Sequence, residues 1–393
     1  MGLSAATRTQ VGIIGAGPAG LVLAHLLRRH GISCVVLERQ SRSYVESRIR
    51  AGMLEHGTVE LLTSLGLAAR LHRDGMVHHG IELLFGEAGH RIPLTELTGR
   101  DITIYGQHEI VKDLIAAWPG PLHFSVSSVT LSSLDTAPTV SYVDSDGVPR
   151  TLRCDVVAGC DGFHGASRAA IPAGVLSVFE RDYPHAWLGV LAQAPPSSPE
   201  LVYAHSPRGF ALHSMRSPSL TRLYLQVRPD EDLAAWPDER IWAELRRRLA
   251  RSDPSWSLAT GPILERSVAA MRSFVVSPMR YGRLFLAGDA AHIVPPTGAK
   301  GLNLAVADVK VLADALHRWY ATGDESGLDA YSEACLRRVW RVQHFSWWMT
   351  SMLHRSGDNP FEAQLQLSQL RYVTSSRAAA TSLAENYVGL PLP

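Results

Sequence analysis

The sequence predicts an α/β fold with a nucleotide-binding sheet assembled from separate segments, an inserted β-rich lobe, and helices that close the chain. Three observations predict it. A short apolar strand at residues 11–14 runs into closely spaced glycines and then a helix. Two more apolar strands, at residues 155–159 and 283–289, come much later in the chain. Between them, several runs alternate polar and apolar residues, which is typical of a half-buried antiparallel sheet.

The first strand opens a Rossmann-like dinucleotide fingerprint, because Gly15, Gly17 and Gly20 have the GxGxxG spacing. In that pattern the first glycine makes the tight turn, the second lets the backbone approach a pyrophosphate, and the third lets the helix pack closely. The helix offers free N–H groups and the positive end of its dipole to phosphates. The next apolar strand ends at Glu38, where a carboxylate can bind ribose hydroxyls.

The same apolar stretch follows Arg8, so a signal peptide or membrane anchor is the alternative interpretation. Three glycines and a proline disfavour a membrane helix, and the run is short for a span. The chain has 38 basic and 37 acidic residues and no basic block, so neither nucleic acid nor a membrane is an expected partner. Its four cysteines form no CxxC pair, which favours a reducing cytoplasm over a disulfide framework or a metal site.

The order of these patterns divides the chain into three regions. The nucleotide-binding domain is predicted to be discontinuous, with residues 1–80, 100–175 and 272–325. The β-rich substrate domain comprises residues 81–99 and 176–271, and residues 326–393 form a helical C-terminal region. Apolar spacing further predicts helices at residues 55–71, with Gly66 as a stop, and at residues 109–117, 238–251 and 302–321.

Alternation along the β-rich lobe places polar side chains on one sheet face. A strand at residues 210–216 puts Ser214 and Arg216 on the same side, and the returning strand aligns Arg222 and Tyr224. A preceding strand adds the phenol of Tyr203. A guanidinium fork with nearby hydroxyls matches a carboxylate, so an aromatic acid is a plausible ligand. A solvated outer sheet face is the alternative from spacing alone.

The third core strand ends in Gly288 and Asp289, which puts a carboxylate at the edge where α/β sheets bind ligands. The turn at residues 295–301 leads into a helix whose N–H groups can face an electron-rich ring or a developing anion. A capping Asp and a structural turn are the alternative. Three strand ends indicate an elongated cofactor. The sequence contains no second GxGxxG, so a nicotinamide reductant would have to dock transiently.

Taken together, these motifs closely resemble the single-component FAD aromatic hydroxylase family, of the 4-hydroxybenzoate 3-monooxygenase type. The resemblance runs from about Gln10 to Pro391. It is densest in residues 38–40, 48–52, 105–107, 159–165, 207–212, 272–276, 282–305, 345–351 and 385–391.

The resemblance implies a role for each matching residue. The implied FAD-binding set is Gly15, Gly17, Gly20, Glu38, Arg48, Arg50, Gln107, Arg222, Asp289, Gly298, Leu302 and Asn303. The substrate carboxylate would lie on Ser214, Arg216 and Tyr224. The implied catalytic set is Tyr203, Tyr387 and His78 as a proton relay, Pro296 as an acceptor from substrate, and Lys300 as positive charge near the flavin. The implied NADPH-binding set is Arg39, Gln40, Tyr44, His164, Arg168 and Arg272.

The family also implies the reaction. Bound FAD is reduced by a transient NADPH, with NADH also possible, and O2 adds to form a C4a-hydroperoxyflavin that hydroxylates 4-hydroxybenzoate to 3,4-dihydroxybenzoate. A homodimer in the cytoplasm is implied as well. Met53 and His213 depart from the family pattern, and the region 115–150 is shorter than usual. These departures leave open an amino-hydroxybenzoate substrate, and a flavin reductase or dehydrogenase on the same fold is a second alternative.

Overall fold

A computed structural model describes residues 7–48, 52–355, 357 and 359–392. Arg50, one of the predicted FAD ligands, lies outside the described residues. In the described part of the chain, the strands are β1 (Thr7–Ile14), β2 (Cys34–Leu37), β3 (Met53–Glu55), β4 (Met76–His78), β5 (Ile81–Phe85), β6 (Ala88–Ile92), β7 (Ile102–Ile104), β8 (Leu122–His123), β9 (Ser127–Ser132), β10 (Thr139–Val143), β11 (Pro149–Gly159), β12 (Ser177–Ala192), β13 (Leu201–His205), β14 (Ala211–Ser217), β15 (Leu220–Val227), β16 (Ile263–Ser277), β17 (Arg280–Tyr281), β18 (Leu284–Leu286) and β19 (His292–Ile293).

The α-helices within the same residues are α1 (Pro18–Arg29), α2 (Arg42–Ser47), α3 (His56–Ser64), α4 (Ala69–Asp74), α5 (Leu94–Thr98), α6 (Gln107–Ala117), α7 (Ala166–Ala169), α8 (Asp238–Arg248), α9 (Gly301–Thr322), α10 (Ser326–Asp329), α11 (Tyr331–Leu353), α12 (Pro360–Ser375) and α13 (Arg377–Val388). Short 3-10 turns occur at Leu233–Ala235, Gly288–Ala290 and Pro296–Gly298.

The nucleotide-type sheet has the strand order β17-β18-β11-β1-β2-β8, and β10 and β9 extend from β11. Strand β1 lies at its centre, parallel to β2 on one side and to β11 on the other. Strand β18 joins the far side of β11 in parallel. The three apolar strands predicted from sequence are therefore neighbours in one sheet, and the predicted α/β fold is confirmed. Residues 11–14 of β1 and all of β18 are buried, which is typical of parallel strands covered by helices on both faces.

The second sheet has the order β19-β16-β12-β15-β14-β13-β5-β6 and is mostly antiparallel. Strands β5 and β6 join it from an early segment, as the discontinuous division predicts. Strand β16 continues to Ser277 and β19 also joins this sheet, so sheet membership crosses the predicted boundary at residues 271 and 272. A small third sheet, β3-β7-β4, lies beside them. The domain boundaries stay a prediction.

Most predicted helices form within a few residues of their expected bounds. The helical spacing at residues 55–71 becomes α3 and α4, separated at Gly66, which has a φ of 73°. Helices α6, α8 and α9 correspond to the other three predictions. Helix α2 is an addition to the predicted elements and orders part of the basic stretch after Glu38. Across the described residues, no helix is long and apolar enough to cross a membrane.

Candidate active site

The three fingerprint glycines occupy positions that only glycine fits or that leave space for a ligand. Gly15 has a φ of 105°, and a side chain there would clash with the carbonyl of Cys160. A side chain at Gly20 would clash with the carbonyl of Gly15, so α1 packs closely on the turn. By contrast, a Cβ at Gly17 would meet no atom within 4 Å. Gly17 caps α1 without a side-chain hydrogen bond, so the first N–H groups of the helix face open space.

Glu38 lies against this turn rather than projecting away from it. Its Oε2 accepts a hydrogen bond from the Ala16 N–H at 2.8 Å, and its Oε1 accepts one from the Gln40 N–H at 2.7 Å. The carboxylate is buried at the end of β2. Two backbone donors therefore fix a negative charge beside the glycine turn, where a ribose hydroxyl can donate to it.

The third strand end is held by a buried ion pair. His292 Nε2 lies 2.6 Å from Asp308 Oδ2, and each side chain is only 1% exposed. The same carboxylate oxygen accepts from the Gly288 N–H at 3.0 Å. Burial alone would lower the pKa of His292, but the adjacent Asp308 carboxylate raises this pKa above its usual value. This pair, which the sequence does not reveal, fixes the turn that leaves Asp289 exposed.

The start of α9 is joined to β3 by Asn303 and Lys300. The Asn303 side chain accepts from the Glu55 N–H at 2.9 Å and donates to the Met53 carbonyl at 2.9 Å. Lys300 Nζ donates to Glu55 Oε1 and to the Tyr387 carbonyl, each at 2.7 Å. Lys300 is almost fully buried, and burial lowers its pKa although Glu55 opposes the shift. The sequence identifies the cation but not its carboxylate partner.

The neighbouring turn supplies Pro296, Gly298 and Leu302. The Pro296 carbonyl accepts from the Ala299 N–H at 2.9 Å and retains a second lone pair for another donor. Gly298 leaves room beside Phe345, which a Cβ would approach to 3.1 Å. Leu302 is partly exposed in the first turn of α9, a helix whose N-terminus no described side chain caps.

The predicted carboxylate clamp is assembled on β14 and β15. Arg216 donates to Ser214 Oγ at 3.1 Å and lies 3.5 Å from the Tyr224 hydroxyl. Ser214 Oγ in turn donates to the Arg222 carbonyl at 3.1 Å. Burial lowers the pKa of Arg216. Within the described residues, its Nε has no hydrogen-bond partner and no carboxylate pairs with the guanidinium.

The pairing of the strands places Tyr203, the first residue of the predicted relay, in line with Tyr224 of the predicted clamp. Tyr203 pairs with Leu212, and Leu212 pairs with Tyr224, so the three lie in one row across the sheet. Ser214 lies two residues farther along β14, roughly 7 Å away on the same face. That spacing is comparable to the length of a benzene ring with a substituent at each end.

Two relay residues meet directly. The hydroxyls of Tyr203 and Tyr387 are 2.6 Å apart, and both side chains are buried. Burial raises the pKa of each phenol, so both stay neutral at physiological pH. Burial also lowers the pKa of His78 to about 4. No direct hydrogen bond joins His78 to Tyr387 among the described residues, so the third relay member stays a prediction.

Comparison with known proteins identifies the cofactor that fits this site. A family model described as an FAD binding domain matches residues 8–346. The p-hydroxybenzoate hydroxylase of Acinetobacter baylyi is 49% identical over 98% of this chain and 96% of its own length. The chain belongs to the FAD-dependent monooxygenase family. A 3-amino-4-hydroxybenzoate 2-monooxygenase of Streptomyces platensis is 28% identical over 86% of this chain and 87% of its own. The solved p-nitrophenol 4-monooxygenase of Pseudomonas putida shares the fold, with a TM-score of 0.82 and 20% identity over 97% of this chain and 98% of that chain.

The residues present fit FAD. The open space over Gly17 and the uncapped start of α1 suit a pyrophosphate, and Glu38 suits the adenosine ribose. Gln107 starts α6, and Asp289 lies in the 3-10 turn that follows β18, so both stand at edges where the rest of the cofactor can pass. The individual cofactor-binding assignments, including the exposed Arg48, stay predictions.

Three of the predicted NADPH residues converge around one ring. Arg168 lies 4.6 Å and Arg272 lies 5.0 Å from the centre of Phe163, and the His164 ring packs edge-on against it at 4.9 Å. Arg168 also donates to the carbonyls of Phe163 and Ala290. Phe163 organises this basic cluster, and no pattern in the sequence singles it out.

The other three predicted NADPH residues lie along the chain segment that follows Glu38. Arg39 is exposed, Gln40 is partly buried, and Tyr44 on α2 is 44% exposed. Arg48 lies 5.8 Å from the Tyr44 ring centre. These residues therefore come from a segment of the chain that is distant in sequence from the cluster around Phe163.

The structure also places Arg222, a predicted cofactor residue, and the two departures from the family pattern, Met53 and His213. Arg222 is nearly buried, lies over the Tyr224 ring and pairs with Glu265 at 3.2 Å. Met53 is buried in the large apolar cluster that also contains Tyr203 and Tyr387. His213 instead accepts from the Ser197 N–H on the opposite sheet face, as alternation predicts.

Proposed function

We propose that this monooxygenase hydroxylates 4-hydroxybenzoate beside its hydroxyl group, forming 3,4-dihydroxybenzoate with NADPH and O2. One observation carries the proposal. A partly buried guanidinium, Arg216, has an unpartnered Nε and no carboxylate partner among the described residues. Its hydrogen-bond partner Ser214 shares a sheet face with the buried phenol of Tyr203, which bonds to Tyr387. A para-substituted ring with a carboxylate at one end and a hydroxyl at the other satisfies both ends.

The carboxylate end is bound by charge and by geometry. A desolvated cation without a counter-ion is unstable, and a substrate carboxylate restores the pairing through charge-assisted hydrogen bonds. Ser214 and Tyr224 complete the shell because their hydroxyls lie within hydrogen-bond reach of Arg216. This clamp fixes the distance of the reacting carbon from the turn at residues 295–301, called the flavin-side turn because the flavin is proposed to lie against it, so the clamp contributes orientation rather than chemistry.

The hydroxyl end is activated by moving a proton. A phenolate is more nucleophilic than a phenol, so removing this proton activates the ring for oxygen transfer. Because burial raises the pKa of Tyr203 and Tyr387, neither serves as a stored phenolate. Instead, Tyr203 accepts the substrate proton while passing its own to Tyr387, since each hydroxyl both donates and accepts. His78 would continue this path.

FAD, when bound, would pass electrons from the reductant to O2 and deliver one oxygen atom of O2 to the ring, while the protein supplies binding, orientation and electrostatics. The reductant is proposed to be NADPH, supported by the basic surfaces around Phe163 and after Glu38. Comparing NADPH with NADH as reductant tests this, and equal or better turnover with NADH would overturn the preference.

The first experiment is an aerobic reaction of the FAD-loaded protein with NADPH and 4-hydroxybenzoate. The aromatic product is identified by mass spectrometry while peroxide is titrated. We expect 3,4-dihydroxybenzoate in stoichiometric yield. Peroxide with unchanged 4-hydroxybenzoate would contradict this substrate, and product formation under argon would indicate a dehydrogenase instead.

An amino-hydroxybenzoate is the second candidate substrate. Met53 departs from the family pattern, and one relative is named a 3-amino-4-hydroxybenzoate 2-monooxygenase. Running 3-amino-4-hydroxybenzoate beside 4-hydroxybenzoate decides between them. We expect higher kcat/KM for 4-hydroxybenzoate, because the more similar relative is a p-hydroxybenzoate hydroxylase.

A cytoplasmic homodimer is the proposed assembly. Helix α12 exposes Phe361, Leu365 and Tyr372, which are 56% to 70% exposed and available for burial against a second copy. The four cysteines are free thiols, which suits a reducing compartment. Sedimentation analysis tests the dimer, and a Leu365→Lys variant should shift it towards monomer. A monomeric wild-type protein would refute it.

A further inference from the structure

His354, which directly follows α11, lies in a group of aromatic rings formed with Phe210, His185 and Trp187. The His354 ring is fully buried. It stacks on Phe210 at 4.3 Å and on His185 at 4.5 Å between ring centres. Trp187 also stacks on Phe210, at 5.4 Å. His354 therefore connects a helix of the C-terminal region with the interior face of the substrate sheet.

Both nitrogens of His354 are engaged, and their partners fix its tautomer. Trp187 Nε1–H donates to His354 Nε2 at 2.6 Å. Because an indole N–H only donates, Nε2 must be the acceptor. The remaining Nδ1–H donates to the Thr350 carbonyl at 3.0 Å. Burial holds the pKa of His354 well below its usual value, in agreement with a neutral ring.

The two partners lead to opposite walls of the substrate site. The Trp187 ring packs against Tyr224 of the carboxylate clamp, with centres 4.7 Å apart. On the other side, Thr350 Oγ1 donates to the Ser346 carbonyl and therefore accepts from Thr297 Oγ1 at 2.7 Å. Thr297 is next to Pro296 in the flavin-side turn. A continuous path of ring contacts and hydrogen bonds thus joins the clamp to that turn.

Other bonds hold this end of α11 on the sheet without the His354 side chain. His205 Nδ1 donates to the Leu353 carbonyl at 3.1 Å. The Gln226 amide exchanges two hydrogen bonds with the Arg355 backbone, at 2.8 and 3.0 Å. These bonds should keep the helix docked when the His354 ring is replaced, so the role of the ring can be tested separately from folding.

We propose that His354 is a positioning residue that fixes the carboxylate clamp relative to the Pro296–Thr297 turn, and so sets where the substrate ring lies under the flavin. The inference rests on the proposed hydroxylase function. His354 acts through Trp187 and Thr350, because among the described residues its side chain forms no hydrogen bond to a side chain of the predicted clamp or relay.

The test compares two buried histidines in the same stack. His354→Phe keeps the aromatic contact and removes both hydrogen bonds. His185→Phe is the matched control, because His185 belongs to the same stack yet neither of its nitrogens has a partner among the described residues. His354→Gln is the rescue variant, because its amide can both accept from Trp187 and donate to Thr350.

The first measurement is the Trp187 indole N–H signal by NMR in the FAD-loaded protein, assigned with Trp187→Phe. We expect a strongly hydrogen-bonded, slowly exchanging signal that persists in His185→Phe and moves upfield with faster exchange in His354→Phe. An unchanged signal in His354→Phe would overturn the inferred bond.

The second measurement is the amount of hydroxylated product per NADPH consumed. In His354→Phe we expect it to fall at least about threefold with a matching rise in peroxide, because a misplaced ring misses the transferred oxygen. FAD affinity should change less than about twofold, since neither partner of the ring is a predicted FAD ligand. His354→Gln should recover much of the coupling, and His185→Phe should keep it.

Unchanged coupling in His354→Phe, or an equal loss in His185→Phe, overturns the positioning role alone. Absence of hydroxylated product from wild type defeats the proposed function and this inference with it.

Discussion

The Lys300 ammonium and the Glu55 carboxylate form a buried ion pair, with Nζ 2.7 Å from Oε1 and side chains only 1% and 8% exposed. Gly389 lies directly against the other carboxylate oxygen, where a Cβ would clash with Oε2. The pair therefore joins α9, β3 and the end of α13 in a space without room for another side chain. The positive charge in the turn at residues 295–301 is therefore held by a partner 245 residues away in sequence.

Glu55→Gln should destabilise the protein because it leaves a buried ammonium without its counter-ion. We expect the free energy of unfolding to fall by about 3 kcal/mol. Urea unfolding of the FAD-loaded protein measures it. The matched control is Glu333→Gln, which breaks an exposed pair with Arg337 and should cost less than about 1 kcal/mol. Equal effects of the two substitutions would contradict the importance of the buried pair.

Arg216→Ala should weaken binding of aromatic acids by at least about thirtyfold, because a charge-assisted hydrogen-bonded pair is lost. Flavin fluorescence titration with 4-hydroxybenzoate measures the Kd. Phenol, which lacks the carboxylate, is the control ligand and should bind wild type and variant alike. A similar loss for both ligands would show that the substitution had disturbed the pocket rather than removed the clamp.

Tyr203→Phe should separate binding from chemistry. The ring stays in the apolar cluster and only the hydroxyl next to Tyr387 is lost, so the Kd for 4-hydroxybenzoate should change less than about tenfold. Hydroxylated product should largely disappear while NADPH is still oxidised and peroxide is released. Tyr281→Phe, which removes only an exposed hydrogen bond to Asp135, is the control. Unchanged hydroxylation in Tyr203→Phe would refute the relay.

Local patterns in the sequence are enough to predict the sheet and the proximity of Ser214 and Arg216, while their role as a carboxylate clamp stays a prediction. The parallel strands contain continuous apolar runs. Period-two alternation predicts Ser214 and Arg216 on one face, and their hydrogen bond agrees with this although the strand register shifts at Arg216. The glycine positions follow from the fingerprint spacing, and packing around the turn supplies the steric reason for Gly15 and Gly20.

The buried polar pairs are not predictable in this way. Tyr203 and Tyr387 are connected in sequence only through the family resemblance, since 184 residues separate them. Glu55 fits a helical pattern, and His292 has no distinguishing neighbour in sequence. Their roles depend on Lys300 and Asp308, which long-range packing brings beside them, and no local spacing encodes such pairings. His354 escapes prediction for the same reason, because its partner Trp187 lies 167 residues away.

Buried histidines should make the folded state less stable as the pH falls below about 6.5, the pKa of histidine in an unfolded chain. Burial lowers the pKa of His78, His185 and His213 to about 4. A group with a lowered pKa stabilises the fold above its unfolded pKa, and that contribution is lost as the pH falls towards the folded value. Each should contribute a slope of about 1.4 kcal/mol per pH unit within this window.

Urea unfolding at several pH values between about 5 and 7 measures that slope. His185→Phe should reduce this slope by about 1.4 kcal/mol per pH unit, the contribution of one titrating group. The effect can be assigned to titration because the substitution removes no hydrogen bond from the described residues. His292 has the opposite effect, because its raised pKa stabilises the folded state at low pH. This one residue reduces the overall pH slope, but it does not offset the combined slope of the three histidines with lowered pKa. A slope that is the same in His185→Phe and wild type would mean that His185 is not held neutral by burial.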